Sequence, residues 1–241
     1  MQIRYNKTMS QIDVIMPTYN HASFLQRAID AILDQTFTDF TFIIVNDGSQ
    51  DNTKEILDKC SDKRIEIIHN EKNKGLPASL NIGHVAGGSP YCTWVSSDNI
   101  SYKNQLEVLY DYITKNNLDF VQSRWISKKE KTGEIFYQDV RKIKDNWGMA
   151  TIGASFLYKR LVWETYKYDE NLQCVEDLKF YLQAYLHPFK FGYIEDFLME
   201  YHIQPNSLSG REDMSKHNAL IQKIYKDVIE PYQKRNRTKS F

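Results

Sequence analysis

Three cysteines, Cys60, Cys92 and Cys174, are all that 241 residues contain. They stand far apart, their number is odd, and no Cys-x-x-Cys spacing occurs. A zinc site and a disulfide framework are therefore not expected, and reduced thiols are. Net charge is also missing: Lys plus Arg and Asp plus Glu are both 31. The basic excess with which a general nucleic-acid binder neutralises phosphates is absent. No stretch approaches the ~20 apolar residues of a membrane span. The polar opening, residues 1–11, lacks the apolar core of a secretory signal. There is no internal repeat and no low-complexity linker. A chain of this length fits one large domain or two intimately packed halves, and it can bury roughly three quarters of its unfolded surface without a staple.

What is present is strongly patterned. Ile12-Asp13-Val14-Ile15-Met16 is a short apolar run ending in Pro17-Thr18-Tyr19-Asn20. Phe24, Leu25, Ala28, Ile29, Ile32 and Leu33 then recur at helical spacing and predict a helix over residues 22–35. A second apolar run, Phe42-Ile43-Ile44-Val45, ends in Asn46-Asp47-Gly48-Ser49. Strand, loop, helix, strand, loop is the opening of a parallel α/β sheet, and such sheets bind ligands outside the carboxyl ends of their strands. The pattern continues with a helix entry at Asp51-Asn52-Thr53, a strand over 65–68 and a helix over 78–86. A strand over 91–95 then runs into Ser96-Ser97-Asp98-Asn99. Leu106, Leu109, Tyr110 and Ile113 mark another helix. Strands are expected over 120–127 and 135–140, where the alternation stops. Gln122-Ser123-Arg124-Trp125 belongs to the first of these. Leu178, Tyr181, Leu182 and Tyr185 mark a helix opening near Glu176-Asp177. Ile221, Ile224, Tyr225 and Val228 mark a last one, followed by a tail with Lys234, Arg235, Arg237 and Lys239.

The runs Val14-Ile15-Met16-Pro17-Thr18-Tyr19-Asn20, Gln35-Thr36-Phe37 and Val45-Asn46-Asp47-Gly48-Ser49, with Asp51 and Thr53 behind, resemble the family 2 inverting glycosyltransferases. The resemblance continues as far as Ser209. It implies the GT-A fold: an α/β domain with a mostly parallel central sheet flanked by helices and a smaller acceptor-side sheet. On that template residues 10–118 are the nucleotide-sugar half, 119–210 the acceptor side and 211–241 a C-terminal helix and basic tail. The implied activity is transfer of one sugar from a nucleotide diphosphate sugar, expected to be a UDP-sugar, to an acceptor hydroxyl. The setting is surface polysaccharide or glycoconjugate synthesis.

Residue roles follow from the resemblance. Pro17, Thr18 and Tyr19 would border the base, and Asp47 would accept a hydrogen bond from uracil N3–H. An Asp-Gly-Ser run is by itself a common turn. Ser96-Ser97-Asp98-Asn99 stands where the family carries an Asp-x-Asp motif, and its first carboxylate is missing. A similar Thr-Asp-Asp-Asn run occurs within the family. Asp98 would bind Mg²⁺ or Mn²⁺ and the diphosphate, Asn99 would add a neutral oxygen, and Ser97 would reach the ribose. Val175-Glu176-Asp177-Leu178 resembles the Glu-Asp motif that opens a helix facing the acceptor, with Asp177 as general base. Acids are favoured in first turns whatever their function. Lys74-Gly75 with Asn81 and Gly83 resembles an Asn-x-Gly block, and Lys74 would contact base or phosphate. Tyr201-His202 and Ser207-Leu208-Ser209 resemble a late segment that closes over the donor. There His202 would meet metal or phosphate, and Arg211 would pair with phosphate. Trp147 is an expected acceptor-side platform.

The expected partners are a nucleotide-sugar donor and a glycan or lipid-linked acceptor, with no nucleic acid. A cytoplasmic location is expected, with peripheral contact to the inner membrane face through the last helix and tail. That helix is equally suited to packing on the domain or to a homodimer contact. One rival is a sugar-nucleotide-binding protein whose metal motif has decayed. Another is a sugar nucleotidyltransferase, which needs a Gly-rich triphosphate loop by the first strand, and residues 17–23 contain no glycine.

Overall fold

The computed structural model describes residues 9–138, 155–172, 174–204 and 215–237. Trp147, Arg211 and Ser207-Leu208-Ser209 lie outside them. Four strands build the parallel half: β1 (Ile12–Thr18), β2 (Phe40–Asn46), β3 (Ile65–His69) and β4 (Tyr91–Trp94). They lie in the order β3-β2-β1-β4. The connections are α1 (Ala22–Leu33), α2 (Thr53–Leu57) and α3 (Leu76–Ala86). Helix α3 starts earlier than the apolar spacing predicts. Pro77 occupies its first turn, where a missing N–H costs nothing.

All seven residues of β1 are buried, because helices cover both faces of the sheet. Val14, Met16, Phe42 and Ile44 face one side with Leu25, Ile29 and Ile32 of α1. Leu106, Leu109 and Ile113 of α4 (Gln105–Lys115) join them. Ile15, Ile43 and Val45 point the other way, towards Leu80 of α3. The period-2 alternation of a strand thus feeds two cores, and each fully buried Ile, Leu or Val contributes about 1.5–3 kcal/mol. On the second side Gly83 lets α3 approach β1, since a Cβ there would lie 2.5 Å from Ile15 Cγ2.

Beyond β4 the sheet continues without a break. β5 (Ile100–Ser101), β6 (Phe120–Lys129), β7 (Ile135–Gln138), β8 (Phe156–Lys159) and β9 (Phe191–Ile203) extend it in the order β4-β8-β6-β9-β5, with β7 on β6. The acceptor-side strands expected as a smaller second sheet are therefore the far half of the central one, joined through the antiparallel β4–β8 pair. The sequence pattern does not reveal β9, because exposed Glu195-Asp196 interrupts its alternation. The β6–β9 pairing slips register between Ser123 and Ile126.

Helices α5 (Arg160–Tyr166) and α6 (Glu176–Tyr185) pack on the Ile15 face. The C-terminal helices α7 (Ser215–Ile224) and α8 (Glu230–Arg237) join through a π-helical turn, Tyr225–Ile229. Ile224 and Ile229 are buried in that same core, so the last helical segment packs on the domain. No helix among the described residues is long and apolar enough to cross a membrane. All three cysteines are free. Burial raises the Cys60 thiol and pushes that of Cys92 up to about 12.

Candidate active site

β1 and β2 end level, with Thr18 paired to Asn46, and the Asp47 N–H donates to the Thr18 carbonyl at 2.9 Å. The loops that follow are laced together. Asn20 N–H donates to Ser49 Oγ at 3.0 Å, and Gln50 N–H donates to Asn20 Oδ1 at 2.8 Å. Asp51 accepts from Ala22 N–H at the start of α1 and from Thr53 N–H at the start of α2, each at 3.0 Å. Burial raises the Asp51 carboxyl, but the hydrogen bonds from Thr53 and Ala22 outweigh it and hold the group below its ordinary value. Two surfaces remain for a ligand on this rim. Buried Thr18 Oγ1 has no hydrogen-bond partner, and the Tyr19 ring is 42% exposed.

Asp47 is buried directly below. Its Oδ1 accepts from Asn70 Nδ2 at 2.8 Å and from Lys74 N–H at 2.9 Å, and its Oδ2 accepts from Gly75 N–H at 2.9 Å. A carboxylate has about four acceptor positions, so one is left on Oδ2. Gly48 is needed here twice over: its φ is +71°, and a Cβ would lie 2.6 Å from the Lys72 carbonyl carbon. The close approach that Gly48 permits is thus to the 70–75 loop. Lys74 reaches Asp47 through its backbone, and its side chain stands in solvent.

After β4 the chain enters Ser96-Ser97-Asp98-Asn99, of which Ser97, Asp98 and Asn99 are buried. Ser97 Oγ bonds His21 Nδ1 at 2.8 Å, and Ser96 Oγ donates to Asp98 Oδ1. Arg27 Nη2 donates to the Asp98 carbonyl at 3.0 Å. Asn99 Oδ1 accepts from His202 N–H at 2.9 Å, which fastens this loop to β9. His202 lies within that strand and is 3% exposed, so it is a sheet residue. Its Nδ1 bonds Glu130 Oε1, and this contact lowers the Glu130 carboxyl. Nε2 makes no hydrogen bond, and the carboxylate of Glu200 stands 3.4 Å away.

Asp98 offers a buried carboxylate and His202 an unpartnered ring nitrogen, and Asn99 joins their two segments. No group of three His, Cys, Asp or Glu among the described residues forms a cage for a divalent cation. An ion at Asp98 would have to take most of its ligands from phosphate oxygens.

The acid pair opens α6. Val175, the residue before it, is a β-branched side chain at φ +58°, a strained conformation that costs of order 1–3 kcal/mol. Glu176 is 4% exposed and its Oε2 has no hydrogen-bond partner. Burial first, and the adjacent Asp177 second, push its carboxyl upward. Asp177 is half-buried, and its Oδ1 accepts from Leu178 N–H at 2.7 Å. The rings of α6 place it against β6 and β9. Tyr181 lies 5.5 Å from Phe120, and Tyr185 lies 5.2 Å from Phe191. Phe120 and Phe191 are paired at the beginning of β6 and β9. α6 therefore packs across these two strands, with Tyr181 also 5.4 Å from Phe191.

Residues 13–195 match the family model described as glycosyl transferase family 2. The chain belongs to this family. An uncharacterized glycosyltransferase of Methanocaldococcus jannaschii, MJ1057, is 31% identical over 211 residues, covering 81% of this chain and 71% of that protein. The uncharacterized glycosyltransferase EpsJ of Bacillus subtilis is 28% identical, covering 92% of this chain and 69% of its own. Among solved structures, S. aureus TarS 1-349 in complex with UDP-GlcNAc superposes with a TM-score of 0.71 at 20% identity. That match covers 80% of this chain and 58% of TarS, so the chain spans less than two thirds of its structural neighbour. The fold is GT-A.

Within this fold the expected site residues fall into three groups. Pro17, Thr18, Tyr19, Asp47 and Lys74 are joined through the β1 and β2 loops, Ser97, Asp98 and His202 through Asn99, and Glu176 and Asp177 through α6. Arg27, His21, Glu130 and Glu200 also touch the site, and the sequence pattern does not announce them. Arg27 sits in an ordinary amphipathic helix, and Glu130 and Glu200 become neighbours of His202 only through strand pairing.

Proposed function

We propose that the protein is an inverting glycosyltransferase that moves one sugar from a UDP-sugar to an acceptor hydroxyl, with Asp177 as general base. The observation that carries this reading is the acid pair, buried Glu176 beside half-buried Asp177 on a strained turn, in a family 2 domain whose β1 and β2 loops hold Thr18, Tyr19 and Asp47. The acceptor oxygen attacks the anomeric carbon as the bond to the diphosphate breaks, and the acceptor proton passes to Asp177. A carboxylate suffices because that hydroxyl becomes acidic only as the new bond forms, and the base must lie within hydrogen-bond reach of it. Tyr19 and the remaining Oδ2 position of Asp47 would receive the base. A Mg²⁺ or Mn²⁺ ion, held by Asp98 and His202 Nε2, would supply charge neutralisation for the diphosphate. TarS, a fold neighbour, is known in complexes with UDP and with UDP-GlcNAc, which supports the choice of base. The acceptor class is a surface-polysaccharide or lipid-linked glycan precursor.

A second reading, a sugar-nucleotide-binding protein without turnover, is favoured by Ser96 in place of the first acid. Two measurements separate the readings. Calorimetric titration with UDP, GDP, dTDP and CDP, with and without Mn²⁺, should give UDP binding that Mn²⁺ strengthens and Asp98→Asn abolishes. UDP release from a panel of UDP-sugars should fall ~10²- to 10⁴-fold in Asp177→Asn while UDP affinity holds. Metal-indifferent UDP binding with no release would favour the binding protein.

A further inference from the structure

Helix α3 touches both halves of the site, and Asn81 in its middle belongs to neither the base pocket nor the acid pair. Asn81 is buried and uses its whole amide. Oδ1 accepts from Tyr168 N–H at 3.1 Å and from Trp163 Nε1–H at 3.0 Å. Nδ2 donates to the Tyr168 carbonyl and to Glu170 Oε1, both at 2.9 Å. Both backbone groups of Tyr168 are therefore clasped by one side chain.

The Tyr168 hydroxyl is held from the same helix, one turn on. His84 Nδ1 lies 2.7 Å from the Leu80 carbonyl, which can only accept, so the ring proton is on Nδ1. Nε2 must then accept from Tyr158 O–H at 2.7 Å, and Tyr158 in turn accepts from Tyr168 O–H at 3.1 Å. Burial pushes the His84 imidazole down to about 3, so it stays neutral and the polarity of this chain is fixed. From Tyr168 the path runs into α6. The ring stacks on Phe180 at 4.6 Å, and neighbouring Asp169 pairs with Lys179. The short connection from Tyr168 leads through Val175 to Glu176 and Asp177.

We propose that Asn81 is a positioning residue for transfer: by fixing Tyr168 it sets where the turn carrying Asp177 stands relative to the donor edge. The inference rests on Asp177 as the base. The loop that leads into α3 presents the Lys74 and Gly75 N–H groups to Asp47, so the helix links the two half-sites. Such linkage matters because displacing a reacting group by about 1 Å can cost ~10²-fold in rate.

Asn81→Asp keeps the Oδ1 acceptor, loses the donor to Tyr168 and Glu170, and sets a carboxylate against both. UDP release from UDP-GlcNAc is measured per UDP-binding site, counted calorimetrically with Mn²⁺ present, alongside donor KM. The expected result is a ~10- to 100-fold loss in kcat with donor KM and UDP affinity essentially unchanged. An unchanged kcat in the folded variant overturns the proposal, as does UDP affinity that falls in step with kcat. If Asn81→Asp does not fold, Asn81→Ser carries the same test. It shortens the side chain and releases both Tyr168 backbone groups without adding a charge, and an unchanged kcat there again overturns the proposal. Asp177→Asn is run in parallel. If it turns over like the wild type, or the wild type releases no UDP, the base assignment falls and this inference with it. An inactive Asp177→Asn beside a fully active Asn81→Asp removes this inference alone.

Discussion

Glu176 shows how one buried atom sets a pH dependence. Burial, then Asp177, raise its carboxyl in the folded chain. An unfolded glutamate ionises near ~4.3. Above that pH the folded state keeps a proton that the unfolded chain releases, so stability falls as pH rises through the folded value, by at most ~1.4 kcal/mol per pH unit. Glu176→Gln removes the charge without changing shape. Its melting temperature should lie close to the wild type at pH 4 and exceed it at pH 8, and an equal difference at both would refute the buried-acid account. Gly48→Ala tests the neighbouring pocket. The left-handed φ and the 2.6 Å approach to Lys72 leave no room for a methyl group. We expect a loss of ~1–3 kcal/mol in urea unfolding together with weaker UDP binding. The position of Asp47 was legible in the sequence. Its engagement by Asn70, Lys74 and Gly75 was not, because those donors come from another segment.

At the scale of elements, the two loops on the ligand rim depend on Asp51, which caps α1 and α2 at once. Asp51→Ala should cost about 1–2 kcal/mol. The gap to the wild type should narrow as pH falls below ~3.9, because a group with a lowered folded pKa contributes its stability above the unfolded value and loses it on acidification. Thermal melts of both proteins between pH 3 and pH 7 check the sign. Helix α1 was readable from its spacing alone, as were β1 and β2 from their unbroken apolar runs. Strand β8 was not, since four residues, Phe156-Leu157-Tyr158-Lys159, carry no period of their own. The 13-residue β9 escaped for a different reason: a mid-strand acidic pair and a register slip broke its pattern.

At the scale of the whole molecule, the C-terminal segment is part of the core. Ile229 is 1% exposed against the Ile15 face of the sheet. Ile229→Ala should cost ~2–5 kcal/mol, read as a lower urea midpoint with an unchanged slope. Donor binding should pull the same equilibrium the other way. Saturating UDP with Mn²⁺, at about a hundred times the dissociation constant, adds ~2.7 kcal/mol. Under this reading that shift in melting disappears in Asp98→Asn.

By itself the sequence determined the strand–helix–strand opening, the polar loops that crown it, and the positions of Asp47, Asp98 and the Glu176-Asp177 pair. Each of these is written within a few consecutive residues, as an apolar period followed by a polar break. Only the tertiary structure decided that β8 is inserted antiparallel beside β4, that His202 lies buried between Glu130 and Glu200, and that Asn81 clasps Tyr168. Those partners are separated by tens of residues in the chain. They meet because two faces of one sheet had to be covered and every buried polar group had to find a partner, and no local pattern records that outcome.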